Sequence, residues 1–127
     1  MPVDRQLYRD AMARLGAAVN VVTTVNESGR HGFTASAVCS VTDDPATLLV
    51  CMNRGSRSRD HFRLGGPVCV NVLATHQQAV SVAFATLDVM SERFETAVWL
   101  ELETGAPVLQ DACLLYTSDA ADEGLGV

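Results

Sequence analysis

The sequence predicts a mainly β domain of the α+β class, with strands closing into a barrel-like sheet and helices at its periphery. Three observations carry this. Short apolar runs of roughly four to eight residues, rich in β-branched side chains, recur along the chain between turns of Gly, Pro, Asn and Asp. Helical spacing of apolar residues appears in only two segments, 4–16 and 75–86. Strand–helix–strand alternation and a GxGxxG turn are both missing, which argues against a doubly wound dinucleotide fold.

Taken in order, residues 4–16 place Leu7, Tyr8, Ala11, Met12 and Leu15 on one helical face, with Gly16 as the stop. Residues 18–25 (AVNVVTTV) then read as a strand. NESGR supplies a turn, and HGFTASAVCSV continues as an extended run, so the two form a hairpin. DDPAT turns again, since Pro45 has no N–H to give a ladder. TLLVCM, continuously apolar, reads as a strand buried on both faces. NRGSRSRDHFR interrupts, LGGP turns, and PVCVNVL is the next strand. In the helix at 75–86, Thr75 and Gln78 have capping-box spacing, and Ala79, Val82 and Ala83 form the apolar stripe. ERF and TAVWLELE end in one more strand, followed by a GAP turn.

With 127 residues, 48% apolar and 19% charged, the chain is sized and composed as one globular domain. No apolar run reaches the ~18 residues of a membrane span, and the first ten residues lack a secretory h-region, so the expected compartment is the cytoplasm. The net charge is −6, which argues against general nucleic-acid binding. Every one of the nine basic residues is arginine. Without lysine, P-loop and Schiff-base chemistries are excluded.

Four of those arginines (54, 57, 59 and 63) crowd one segment whose only acid is Asp60. A basic cluster in an acidic chain points to a small anionic ligand, or else to a solvated, charged helix start. Cys39, Cys51 and Cys69 sit inside strand-like runs, where a reduced thiol behaves as a small hydrophobe. They form no CxxC pair with each other or with Cys113, and His31, His61 and His76 have no ligand spacing. No disulfide framework and no metal site are expected. His61 and His76 read as surface polar groups.

The ordered set FTASAVCSVTDDPATLLVCMNRGSRSRDHF, VCVNVLATHQQAVSVAFAT, ERF and TGAPVLQDA resembles the short-chain NAD(P)H:flavin oxidoreductases. The likeness is strongest to the reductase component of 4-hydroxyphenylacetate 3-monooxygenase and its pyrimidine-utilisation relatives. It runs from Tyr8 to Ala112; no piece is diagnostic alone, but the order is specific. The resemblance implies a split β-barrel of the flavin reductase/FMN-binding type, forming a homodimer with FMN or FAD near the interface. It implies NADH or NADPH as hydride donor and a flavin-dependent monooxygenase component as partner, reached through diffusible reduced flavin. The alternative is a non-catalytic flavin-binding module on the same barrel; a pyridoxamine-phosphate-type oxidase fits the motif order less well.

Hydride transfer to a flavin needs mainly orientation of two rings and hydrogen bonds to the ring edge. The small-residue run Phe33, Thr34, Ala35, Ser36 and Ala37, after Gly32, suits close approach of a ring to backbone; alone, it also reads as an ordinary strand. Asn53, Arg54, Ser56, Arg57 and Ser58 follow a strand end, where hydroxyls, amides and guanidiniums converge on an anion. A phosphate monoester carries roughly −1.5 to −2. The resemblance places it chiefly on Ser56. Asn71, polar within an apolar strand, is either a flavin-edge contact or a side chain satisfied by backbone. Arg93-Phe94 is similar to a motif of the same family, and the resemblance implies that it faces the nicotinamide cofactor or braces the dimer. No residue is assigned as an acid or base.

After Ala112 the likeness ends. Residues Cys113–Glu123 (CLLYTSDAADE) match the translation of a transposase-type sequencing adapter in one frame; the competing reading is a short acidic tail. The expected division is therefore a partial split-barrel domain at 1–112, incomplete at its C-terminus, and a non-native tail at 113–127. A barrel missing strands would leave pairing edges open.

Overall fold

The computed structural model describes residues 4–14, 18–53, 55–102, 104–112 and 114–119. Helix α1 (Arg5–Ala13) is followed by strands β1 (Asn20–Asn26), β2 (Gly29–Ala35), β3 (Val38–Asp43) and β4 (Ala46–Val50). A 3-10 turn (Arg59–His61) leads to β5 (Pro67–Val72), and a second one (Thr75–Gln77) opens α2 (Gln78–Thr86). Then come α3 (Met90–Phe94), β6 (Trp99–Glu101), β7 (Pro107–Leu109) and β8 (Leu114–Asp119). None of the described helices is long and apolar enough to cross a membrane.

Four strands make the main antiparallel sheet, in the order β2-β1-β5-β8. The β1–β2 hairpin forms where the sequence places it, with Val22 opposite Phe33 and Gly29 at positive φ in the turn. The extended run after that turn is not one strand. It breaks at Ser36–Ala37, and β3 leaves the main sheet to pair with β4.

Both faces of the main sheet are covered, because alternate residues of β1 point to opposite sides. Val22, Phe33 and Val70 form a cross-strand row facing the β3–β4 ribbon, which contributes Val38, Leu48 and Val50. Val21 faces the helices, packing with Val80 and Phe84 of α2 and Phe94 of α3. Phe84, Phe94 and Trp99 meet with ring centres 4.9–5.3 Å apart. Burying one such aliphatic or aromatic side chain stabilises by about 1.5–3 kcal/mol.

Several local expectations change. The TLLVCM strand is not buried on both faces: β4 belongs to a two-stranded ribbon covered on one side only, so Leu48 and Val50 point inward. Cys39 and Cys51 consequently fall on the outer face and are exposed, whereas Cys69, in the middle of the main sheet, is buried. Burial pushes the Cys69 thiol up to about 11, as for a packing group. In α2 the inward stripe is Val80, Ala83 and Phe84, and Ala79 and Val82 face out. Its cap is shifted too, with the Ala74 N–H donating to Gln77 Oε1 at 2.8 Å in place of a Thr75–Gln78 box. ERF forms a third helix, α3.

Asp4 caps α1 by accepting from the N–H groups of Gln6 and Leu7 at 2.8 and 3.1 Å. On its apolar face Leu7, Tyr8 and Ala11 are exposed. Leu15 and Gly16 lie outside the described residues.

Candidate functional site

Strand β2 is one of the two outer strands of the main sheet among the described residues, and the cleft forms beside it. Gly32 is central to it. A Cβ there would meet the Phe84 ring at 2.9 Å and the Val22 carbonyl at 3.1 Å, so α2 packs this close only over glycine. The Gly32 carbonyl accepts two hydrogen bonds, from Ser58 Oγ at 3.1 Å and from Arg93 Nη1 at 2.8 Å. One fixes the bend after β4 to β2; the other fixes α3 to it.

The bend itself is a compact set of turns. Asn53 Oδ1 accepts the Gly55 N–H at 2.9 Å, and the Asn53 carbonyl accepts the Ser56 N–H at 2.9 Å. Ser56 Oγ accepts the Ser58 N–H at 3.3 Å. Asn53 Oδ1 and Ser56 Oγ thus each accept one bond within the bend. The donors they and their neighbour offer a ligand are the Asn53 amide NH₂, the Ser56 O–H and the Arg57 guanidinium.

These groups open into a cavity of about 330 Å³, within the usual range for small-molecule sites. Phe33 and Thr34 of β2 line one side, Asn53, Gly55, Ser56 and Arg57 another, and Phe84, Ala85 and Thr86 of α2 a third. Asp88 and Arg93 close it. Thr34 Oγ1 donates to the Ser81 carbonyl at 2.6 Å, anchoring β2 to α2 beside the cavity. A larger groove of about 480 Å³ runs along Ala79, Val82 and Thr86 on the outer side of α2, but it offers no charged side chain.

The electrostatics of the cleft rest on three groups. Arg57 Nη2 lies 3.2 Å from Asp88 Oδ1, with both side chains largely exposed. Arg93 is only 6% exposed, and its Nε and Nη1 donate to the carbonyls of Leu87 and Gly32. Burial first, and then the neighbouring Arg57 charge, hold its pKa below the usual arginine value, while Asp88 acts the other way. Two guanidiniums beside one carboxylate leave the cleft lining with a net positive charge, which suits an oxygen anion.

The family model for the flavin reductase like domain matches residues 12–120. The chain belongs to that family. It is 54% identical over 117 residues to an FMN reductase (NADH), RutF, of Bradyrhizobium diazoefficiens, covering 92% of this chain and 65% of the relative. The chain spans 60–66% of the length of the curated relatives first matched. In structure it is similar to a protein of the flavin reductase type from Haemophilus somnus 129PT, with TM-score 0.87, 48% identity and coverage of 92% of this chain and 75% of that one. BorF, the flavin reductase component of a bacterial two-component tryptophan halogenase, superposes with TM-score 0.79 at 28% identity, covering 90% and 72%. The mostly stranded split barrel of these flavin reductases is the fold observed.

Within this flavin reductase like domain, the structure brings Phe33, Thr34, Asn53, Ser56 and Arg57 into one cleft. Other expected site residues are placed elsewhere. Ala35 is in the core against Val22, and Ser36 and Ala37 are exposed at the break between β2 and β3. Ser58 is fully buried, its hydroxyl turned to Gly32. Asn71 is fully buried on β5, donating to the Val21 carbonyl at 3.0 Å and accepting the Leu109 N–H at 2.8 Å. Its Oδ1 also accepts from Cys69 Sγ at 3.5 Å, and the side chain is not among those lining the cleft. Arg54 lies outside the described residues. Of the remaining cluster, Arg63 pairs with Glu27 at 2.8 Å and Arg59 is exposed in the 3-10 turn.

Three groups of the cleft lining have no role in the sequence reading: Asp88, Phe84 and the end of α2. Arg93 is named there, but without its bond to Gly32. The only sequence signal for it is the Arg93-Phe94 pair at the end of a short mixed segment, MSERF. A second unforeseen pair is His31 and His61, stacked with ring centres 3.4 Å apart. His61 is therefore half-buried against β2 and not a free surface group.

Proposed function

We propose that this chain is the flavin-binding part of an NADH-dependent FMN reductase that supplies reduced flavin to a partner monooxygenase. The observation that carries the reading is the meeting of Phe33–Thr34 with the Asn53–Arg57 bend in one 330 Å³ cleft lined by two arginines. The relatives named FMN reductase (NADH) support FMN over FAD and NADH over NADPH. BorF, a reductase component of a two-component system, supports delivery of the product to a second protein.

In this reading the donor set of Asn53, Ser56 and Arg57 holds the phosphate. Gly32 lets Phe84 and β2 approach closely and so sets the width of the cleft. Arg93 fixes the edge of β2 through the Gly32 carbonyl and keeps a second positive charge in the lining. The bound flavin supplies the hydride acceptor and electron sink. The chain's contribution is binding, orientation and charge.

A second copy of the chain is the proposed assembly partner, supported by the exposed Leu7, Tyr8, Val82, Val98 and Leu100. The cytoplasm is the proposed compartment, supported by the free state of Cys39, Cys51 and Cys69.

The test is anaerobic mixing of the chain with NADH and excess FMN. Flavin absorbance bleaching over many turnovers supports the reductase. Bleaching that stops at one equivalent, or binding without bleaching, assigns the chain to the flavin-binding module instead.

A further inference from the structure

We propose that Asp88 is a built-in competitor of the flavin phosphate, an affinity-lowering residue that keeps the ligand exchangeable. The inference rests on the flavin reading of the cleft and adds a function for a residue that the donor set does not need. Asp88 is the only acid among the described residues lining the cavity. Its carboxylate holds Arg57 at 3.2 Å, and Arg57 is the guanidinium not committed to main-chain carbonyls. Arg93 has two of its nitrogens bound to Leu87 and Gly32 and stays where it is.

The charge balance gives the consequence. Arg57 and Arg93 together carry two positive charges, matching a phosphate monoester of roughly −1.5 to −2. Asp88 cancels one of them. An arriving phosphate must either displace Asp88 from Arg57 or sit beside a like charge, and both weaken its hold. The pair is exposed (63% and 77%), so either partner can swing away without refolding. The cleft thus carries its own substitute anion, which takes back Arg57 when the ligand leaves. A protein that hands on its flavin gains from that exchange.

Asp88→Asn keeps the shape and removes the charge; Asp88→Glu keeps the charge. Titration of the full chain by quenching of flavin fluorescence, with FMN and with riboflavin, separates the possibilities. Asp88→Asn is expected to bind FMN about fivefold tighter at low salt, a gain that shrinks as salt screens it. Riboflavin, which has no phosphate, is expected to bind all three chains alike, and Asp88→Glu to return FMN affinity towards wild type. FMN affinity unchanged or weakened in Asp88→Asn overturns the proposal. Equal tightening of FMN and riboflavin also overturns it, by moving the effect to the ring. If neither flavin binds any of the three chains, the flavin reading of the cleft falls, and this inference with it.

Discussion

The imidazoles of His31 and His61 lie face to face, ring centres 3.4 Å apart and planes 7° from parallel. His31 is on β2 and His61 closes the 3-10 turn that follows the cleft-lining bend, so the stack fastens that turn to the sheet. Ser28 Oγ is 3.0 Å from His31 Nε2, and Asn26 Nδ2 is 3.0 Å from His61 Nδ1. The Glu27–Arg63 ion pair joins the same two segments.

Burial first, and then the charge of His61, hold the His31 pKa below the ordinary 6.5. The unfolded chain therefore takes up this proton at a higher pH than the native one does. Stability is intact above about pH 6.5 and declines as the pH falls below it, towards the native-state pKa. Thermal melts at about pH 7.5 and 5.5 check this, and wild type should lose more Tm between them than His31→Gln.

Gly32→Ala should destabilise the fold by about 1–3 kcal/mol, the scale of overpacking. The added methyl meets the Phe84 ring at 2.9 Å, Thr23 Cγ2 at 3.1 Å and the Val22 carbonyl at 3.1 Å, and the carbonyl cannot give way. Urea midpoints at constant m-value provide the measurement. Because Phe84 also lines the cleft, FMN affinity should fall in the same variant.

Asn71→Ala leaves the Leu109 N–H and the Val21 carbonyl without their buried partner. A cost of about 2–4 kcal/mol is expected from two such groups. The FMN dissociation constant of the folded fraction should stay within about twofold of wild type, because the side chain does not line the cleft. A selective loss of FMN binding with normal stability would return Asn71 to the ligand site.

Arg57→Ala should weaken FMN binding by about 1.5 kcal/mol, the low end for a charge-assisted hydrogen bond, since the side chain is 63% exposed. Stability should change by less than about 1 kcal/mol, as an exposed pair with Asp88 contributes little. Paired FMN and riboflavin titrations read the phosphate contribution directly. An FMN constant equal to wild type would remove this arginine from the site.

Much of this arrangement is visible in the chain before folding. The β1–β2 hairpin follows from the β-branched run at 18–25 and the glycine turn. Phe33, Thr34, Ser56 and Arg57 follow from ordered motifs flanking a strand end. What was hidden is set by tertiary geometry. The α2 sequence QAVSVAFAT is apolar on more than one side, so spacing alone does not choose between Val82 and Phe84 as the inward residue. The thiols of Cys39 and Cys51 face out because the β3–β4 ribbon has one covered side, which an apolar run does not announce. Asp88 and Arg93 stand some thirty residues beyond the bend and join it only where β2 ends the sheet.

The two donors on the Gly32 carbonyl have one more effect. They occupy hydrogen-bonding capacity at the margin of the sheet that a stray strand from another molecule would otherwise recruit. The geometry of the cleft wall and colloidal good behaviour are therefore served by the same pair of bonds. Damage to Ser58 or Arg93 is expected to surface as clumping of the purified protein alongside any fall in its affinity.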